Sequence, residues 1–322
     1  MIYKRMSGRL GNQMFQYAAI RSFQYKYRKN DQVVLDFRDV YKLGSKKEGF
    51  RNSLDGFNLN SNVVFSDNFK MDFIPWILFL IYKLLCGLLK ITDFNYSYLN
   101  KRKMLENIIY PFYHKQGLYI YTDGFKDFDN CEKKNVYFFG YFESVKYFDN
   151  ICDILRDEFS SKVDLSKNEL FKIIMDSNCT CISVRAGDFL SDKFFNDYYI
   201  CDNSYYNNAI NYIENVSSNN LYIVFSDDIE WVKKNLIFPK NINIIYENPG
   251  YNLYEKIYLM IHCKNYILSN SSFSFWTQFM SFNKKKIVVA PNRWSNKNKN
   301  IDIYEESWIK IPVERNENKW NI

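Results

Sequence analysis

The stretch "LYIVFSDDIEWVKKNL", residues 221–236, holds one complete structural unit. Leu221 to Phe225 is a continuous apolar, β-prone run, the pattern of a strand buried on both faces. Two carboxylates follow, and residues 229–236 then return their apolar side chains at helical spacing. The same order recurs on either side. "CISV" (181–184), "INIIYE" (242–247), "NYILSN" (265–270) and "KIVVAP" (286–291) read as buried strands. "SYYNNAINYIENV" (204–216), "NLYEKIYLMIHC" (252–263) and "SFSFWTQFMSF" (272–282) read as helices between them. Alternation at this spacing predicts βαβ units and a parallel sheet. The first half follows more loosely, with a strand at 2–6, a helix at 12–28, a strand "QVVLDF" at 32–37 and then an irregular region. The chain of 322 residues suffices for two α/β domains, and the expected division is 1–150 and 151–322.

Composition narrows the class. The net charge is +7, which suits an anionic ligand or an anionic membrane surface. The lysines are dispersed rather than blocked, so nucleic acid is not implied as a partner. Two histidines, His114 and His262, cannot build a histidine-rich metal centre. The seven cysteines are scattered, include no CxxC pair and are odd in number, which favours reduced thiols in a cytoplasmic protein. The N-terminus enters a strand rather than the basic head and apolar core of a signal peptide.

One segment departs from the α/β pattern. "FIPWILFLIYKLLCGLLKI", residues 73–91, is almost wholly apolar, with Lys83 near its middle. A helix from Pro75 would run about 25 Å, short of the ~30 Å hydrocarbon core. A central lysine would add a cost of roughly 2.5–3.5 kcal/mol. A spanning helix is therefore disfavoured. Two readings stand: a buried core helix, or an in-plane helix whose neighbours Lys70, Lys83, Lys90, Lys101, Arg102 and Lys103 meet anionic headgroups.

Ligands of parallel α/β sheets bind beyond the carboxyl ends of the strands. Four predicted strands end there in polar groups: Arg185 to Asp188, Asp227–Asp228, Asn270 to Ser272, and Pro291–Asn292. Arg185 has the chemistry to grip a phosphate with two parallel hydrogen bonds, and Asp188 to orient it. Ser271 and Ser272 open a helix, where their hydroxyls and the amides up to Phe273 would make an anion site or simply cap the helix. Asp227 and Asp228 fit either a helix cap or a ligand contact.

"SGRLGNQMFQYA" (7–18) places the same kind of polar, permissive chain at a second strand–helix junction. Gly8 and Gly11 suit a tight turn and close approach, and Asn12 or Gln13 would cap or project from the helix start. The helix is expected to bury Met14, Phe15, Ala18 and Ala19 on one side. Neither GxGxxG nor GxxxxGK[ST] is present, so nicotinamide dinucleotides and the phosphate loop are disfavoured.

With these residues set out, the chain resembles the GDP-fucose-dependent α1,2-fucosyltransferases of glycosyltransferase family 11. "GRLGNQMFQYA" (8–18), "FGYFESVKYF" (139–148), "SVRAGDF" (183–189), "FSDD" (225–228), "CKNYILSNSSFSFW" (263–276) and "PNRW" (291–294) match its pattern in order, while residues 60–135 carry little of it. Ser183 stands where the family usually has histidine, and Ala186 where it often has a second arginine. The resemblance implies a GT-B-like α/β architecture, two Rossmann-like domains with parallel sheets facing across a cleft. It further implies an inverting transfer of L-fucose from GDP-fucose to a galactose-terminated or lipid-linked glycan, in bacterial surface-glycan synthesis at the cytoplasmic face of a membrane. No metal is required in that reading.

On the same resemblance, Arg185, Asp188 and Asn12 are the catalytic candidates. Gly11, Gln13, Asp227, Asp228, Asn270, Ser271, Ser272 and Phe273 are the donor-binding ones, with Asp227 or Asp228 accepting from guanine. Tyr141 and Glu143 are placed on the acceptor side, with Glu143 and Asp188 as candidate bases. Alternatives are a transferase using another nucleotide sugar, a metal-dependent one built on Asp127 and Asp129, and a non-catalytic glycan-binding protein. The Asp127–Asp129 pair lies away from the strand-end clusters and reads as a solvated turn. Transfer activity is therefore expected to persist in EDTA; its disappearance would favour the metal-dependent reading.

Overall fold

The computed structural model of the protein describes residues 1–47, 49–92, 97–218, 220–296 and 302–314. It consists of two units, Met1–Ser160 with Ile301–Ile303, and Ser161–Asn300 with Tyr304–Ile322.

The first unit contains β1 (Ile2–Arg5), α1 (Leu10–Tyr27), β2 (Val33–Asp36), α2 (Arg38–Gly44) and β3 (Val63–Ser66). After these come α3 (Phe73–Thr92), α4 (Ser97–Lys115), β4 (Leu118–Ile120), β5 (Val136–Phe139) and α5 (Cys152–Glu158). Its five strands are ordered β3-β2-β1-β5-β4, and every pairing is parallel. The three strands beyond β2 fall in or after the region that reads as irregular. They have three or four residues each, and β3 and β4 lie at the sheet edges, where little apolar pattern is needed.

Helix α1 is buried on all sides from Leu10 to Gln24 apart from Asn12, not on one side as the sequence suggests. Its polar side chains are matched instead of solvated. Gln16 Nε2 donates to the carbonyls of Ser7 and Asn12 at 2.7 and 2.9 Å. Arg21 Nε donates to Glu158 Oε1 at 2.9 Å, both side chains being about 10% exposed, and the Tyr17 hydroxyl donates to the same carboxylate. This buried ion pair ties α5 to α1. It carries the first unit to residue 160, past the expected division at 150.

The second unit contains α6 (Glu169–Asp176), β6 (Asn178–Val184), α7 (Phe195–Tyr198), α8 (Asn203–Val216), β7 (Asn220–Ser226) and α9 (Ile229–Asn235). It continues with β8 (Asn243–Tyr246), α10 (Leu253–Ile261), β9 (Asn265–Ile267), α11 (Ser272–Phe279), β10 (Val288–Pro291) and β11 (Ile309–Ile311). The sheet order is β11-β10-β9-β6-β7-β8, again all parallel. The predicted strands and helices of this half are present in order. Ile182, Val184, Val224, Ile267 and Val289 pack against Ile210 and Ile213 of α8 in one core.

Removing one partner of a buried ion pair leaves an uncompensated charge and typically costs ~3–5 kcal/mol. Arg21→Met is expected to lower stability in urea by that order, and adding Glu158→Leu to recover a large part of it.

Candidate active site

The six-stranded sheet reverses its order between β6 and β9, with β7 and β8 extending one way and β10 and β11 the other. A crevice forms beyond the carboxyl ends at such a switch point, and open α/β sheets bind ligands there. The register pairs Val184 with Ser226 and Ile182 with Ile267. The residues that follow β6, β7 and β9 therefore share one edge, which holds Arg185, Asp227 and Asn270.

Arg185 is the centre of this edge. Its Nη2 donates to Asp188 Oδ1 at 2.5 Å, and its Nη1 lies 2.6 Å from Asp227 Oδ2. The guanidinium also lies 5.5 Å from the Phe189 ring centre, and the side chain is only 19% exposed. Asp188 thus braces the arginine, as expected. Asp227 does so too, and its other oxygen accepts from the Ala186 amide at 2.9 Å. Each Asp227 oxygen thus has a partner inside the protein, so its position in the structure is that of a brace for Arg185 and the following turn. Two of the five guanidinium N–H donors are spent on carboxylates. Gly187 makes this possible: its φ is +25°, and a Cβ there would lie 2.2 Å from Asp227 Oδ2.

A second brace was not anticipated. Glu247, fully buried after β8, accepts from the Ser226 amide at 2.8 Å. Lys256 of α10 donates to Glu247 and to the Ser226 carbonyl, each at 2.8 Å. Burial pushes the Glu247 carboxyl upward in pKa, and the lysine opposes that. The pair fixes the turn that presents Asp227. The signal was present in the sequence, since "INIIYE" is a fifth apolar strand with a charged end.

The other candidates separate into partly exposed residues and residues held by contacts inside the protein. Asp228 is the N-cap of α9, accepting from the Trp231 amide at 3.0 Å. Asn270 is buried, and its Nδ2 donates to the carbonyls of Tyr198 and Trp294 at 2.9 and 2.8 Å. It holds the loops around the site together and has no amide hydrogen left for a donor. Ser271 is the N-cap residue of α11, yet its side chain makes no cap hydrogen bond. Ser271, Ser272 and Phe273 are partly exposed at the helix start, where backbone N–H groups have no intrahelical partner.

Ser183 does not stand at the ligand edge. It is buried and forms a hydroxyl chain with Ser274 (2.6 Å), which continues to Ser269 at 2.9 Å. The chain joins β6 and the strand end after β9 to α11. Ala186 is completely buried, so the site as folded has no room for a second arginine there.

The first unit has its own switch point, between β1 and β5. The turn after β1 holds Gly8 at φ +76°, and a Cβ there would sit 2.5 Å from Asn12 Nδ2. Asn12 is half-buried in the first turn of α1, and Gly11 is buried in the same turn. Gln13 is not available to a donor. Its Nε2 donates to the Gly8 and Arg51 carbonyls at 3.0 and 2.9 Å, and its Oε1 accepts from the Ser53 amide at 3.0 Å. After β5, Phe142 adopts a left-handed φ of 56° with its ring buried. This local strain lies between exposed Tyr141 and half-buried Glu143. Burial, with Asp123 adding to it, pushes the Glu143 carboxyl up to about 7. Lys4, in β1, is buried below this loop with its Nζ 5.6 Å from the Phe142 ring, and burial lowers it to about 7.

Asp127 and Asp129 are exposed on either side of buried Phe128, and Asp127 lies 3.9 Å from Lys26. Among the described residues, no three His, Cys, Asp or Glu side chains converge as a metal site would require.

Two parallel α/β units, each with polar residues gathered at its switch point, define a Rossmann-like, GT-B-like architecture. Residues 1–312 match the description of glycosyl transferase family 11, and the chain belongs to that family. An α-1,2-colitosyltransferase of Escherichia coli is 29% identical over 97% of this chain and 99% of its own. The O-antigen biosynthesis glycosyltransferase WbnK, also of Escherichia coli, is 28% identical over 96% of this chain and 100% of its own. Among solved structures, the NodZ α-1,6-fucosyltransferase crystallised with GDP has a TM-score of 0.49 at 12% identity. It covers 86% of this chain and 91% of that one.

The Gly187 geometry can be tested by coupling. Gly187→Ala is expected to destabilise the chain by about 1–3 kcal/mol in urea. Combined with Asp227→Ala it should cost less than the two single changes added together, because the second removes the clashing oxygen.

Proposed function

We propose that this glycosyltransferase moves L-fucose from GDP-fucose to a galactoside hydroxyl, forming an α-1,2 linkage with inversion and without a metal, in the assembly of a bacterial surface glycan such as O-antigen. The observation that carries this reading is Arg185, clamped by Asp188 and Asp227 at a sheet switch point. The O-antigen assignment draws on the name of the relative WbnK.

In this reaction the acceptor hydroxyl forms a bond to the anomeric carbon while the bond from that carbon to the diphosphate breaks. The electron pair of the broken bond stays on the departing phosphate oxygen, through an oxocarbenium-like state as in glycoside hydrolysis. Charge grows on the diphosphate, so fixed donors must be aimed at it. The remaining guanidinium N–H groups of Arg185 supply some. Ser271, Ser272 and the amides of Ser272 and Phe273 supply others. Asp228, with one carboxylate oxygen beyond its cap bond, is the residue proposed to accept from guanine N1 and N2. Asn12 is assigned to the sugar or the acceptor. Glu143 takes the acceptor proton, since a carboxyl near neutrality is matched to that task.

A second reading has colitose as the transferred sugar, favoured by the name of the 29% identical relative. Turnover of GDP-fucose beside GDP-colitose, over a panel of galactosides, distinguishes the two.

Arg185→Ala is expected to fold normally and to lose ~10²–10³ in turnover; turnover near that of the parent chain rejects the assignment. The pH profile tests Glu143. The carboxylate is the active form, so kcat should rise as pH rises through about 7 and then level off. Glu143→Gln should abolish that rise. Stability runs the other way. The folded pKa of about 7 lies above the ordinary 4.5, so the folded chain binds more protons in this window and loses stability as pH rises across it. Glu143→Gln should remove that loss, giving a higher Tm than the parent at pH above about 7.

A further inference from the structure

Helix α3 has two apolar faces, and among the described residues only one of them is packed against the rest of its unit. Leu78, Phe79 and Tyr82 are buried against Tyr113, Leu118, Ile120 and Tyr137. The opposite face is a stripe of Phe73, Trp76, Leu80, Leu84, Leu88 and Ile91, spaced three or four residues apart along the helix and all exposed. Leu84 is 65% and Ile91 is 70% exposed. Next to it, α4 exposes Met104, Ile108 and Phe112 at successive four-residue steps. Apolar surface this continuous on a folded unit marks an interaction site rather than ordinary surface composition.

We propose that α3 and α4 dock this protein in the plane of an anionic lipid bilayer, the stripe immersed at the headgroup–acyl boundary and the flanking lysines on the headgroups. Neither sequence alternative covers this arrangement in full: α3 packs one narrow face into the core and leaves the larger part of its apolar surface exposed. Spanning the bilayer would require pulling Leu78, Phe79 and Tyr82 off the sheet. It would also break the 2.7 Å bond from the Tyr82 hydroxyl to buried Glu106. Lying in the plane breaks nothing.

Charge selects the partner. Helix α3 has no carboxylate, and the one on α4, Glu106, is buried and accepts from Tyr82, Arg102 and Thr122. The exposed charges of the two helices are lysines, among them Lys83, Lys90, Lys103 and Lys115. Lys83 and Lys90 are two helical turns apart on one border of the stripe, and Lys83 Nζ lies 4.9 Å from the Phe79 ring centre. This is the position from which a lysine stem reaches headgroups while its methylenes stay on apolar surface. A second copy meeting the same face would bring like charges together, whereas anionic lipid neutralises them. Trp76 near the helix start suits the interface as well.

Flotation of the full chain with vesicles tests this, and lipid binding is read directly, so the outcome is independent of the donor assignment. Strong flotation is expected with phosphatidylcholine–phosphatidylglycerol vesicles, weak flotation with phosphatidylcholine alone, and loss of the difference at high salt. Leu80→Asp/Leu84→Asp should abolish binding while circular dichroism stays that of the parent. Lys90→Ala/Lys115→Ala, on side chains outside the packed face, should weaken binding roughly fivefold per lysine and keeps the test decisive if the aspartates disturb the helix. Absence of flotation with the mixed vesicles overturns the proposal. So does a lipid-free dimer that Leu80→Asp/Leu84→Asp dissolves without any lipid binding in the parent.

Discussion

The contact on which the site depends is the guanidinium of Arg185 held between Asp188 and Asp227. Parallel strands lie roughly 4.8 Å apart, so a carboxylate just past β7 can reach an arginine just past β6. The long side chain is thereby ordered before any ligand arrives, which removes an entropy cost from binding. The clamp also changes the electrostatics. Two carboxylates more than balance one guanidinium, so the edge carries no net positive charge from this cluster. Attraction for a phosphate must then come from directed N–H groups as much as from net charge. This raises the importance of α11, whose start, at Ser271 to Phe273, lies at the same edge.

Both units solve the same topological problem in the same way. A sheet grown outward from its middle strand has to reverse once, and the reversal leaves two adjacent strand ends with no crossover helix between them. In the second unit those ends carry Arg185 and Asn270. In the first they carry the Gly8 turn and the strained Phe142 loop with Glu143. Rigid supports surround each cluster: Gln13 and Gln16 under the Gly8 turn, and Glu247, Lys256 and the Ser183–Ser274–Ser269 hydroxyls around Arg185. Many polar residues of the motifs therefore serve the scaffold of a site.

This explains what could be read in advance. Parallel strands covered on both faces must be apolar along their length, so β6 to β10 are visible as runs in the sequence. Edge strands of three or four residues face no such demand, and β3 and β4 were not visible. Arg185 and Asp188 were legible as a pair because they lie in one turn. The scaffold contacts of Gln13, Asn270 and Asp227 were not legible, because an amide or carboxylate looks the same whether its partner is a ligand or a distant group of the protein. The deciding contacts are far away in sequence, from Gln13 to Arg51, from Asn270 to Tyr198 and from Asp227 to Arg185. Local pattern has no access to those separations.

Position 183 shows the same limit from the other side. A serine where the family usually has histidine looks like a change in the chemistry of the site. In the structure, the Ser183 hydroxyl lies inside the protein, and its partner Ser274 belongs to the first turn of α11. The helix whose amides would meet the diphosphate is therefore registered against β6 by that hydroxyl chain. A change at 183 acts on where those amides point, and only through them on a ligand. The site is best understood as two coupled supports, the carboxylate clamp that aims Arg185 and the hydroxyl chain that aims α11. Each is useful only while the other holds its donor in place.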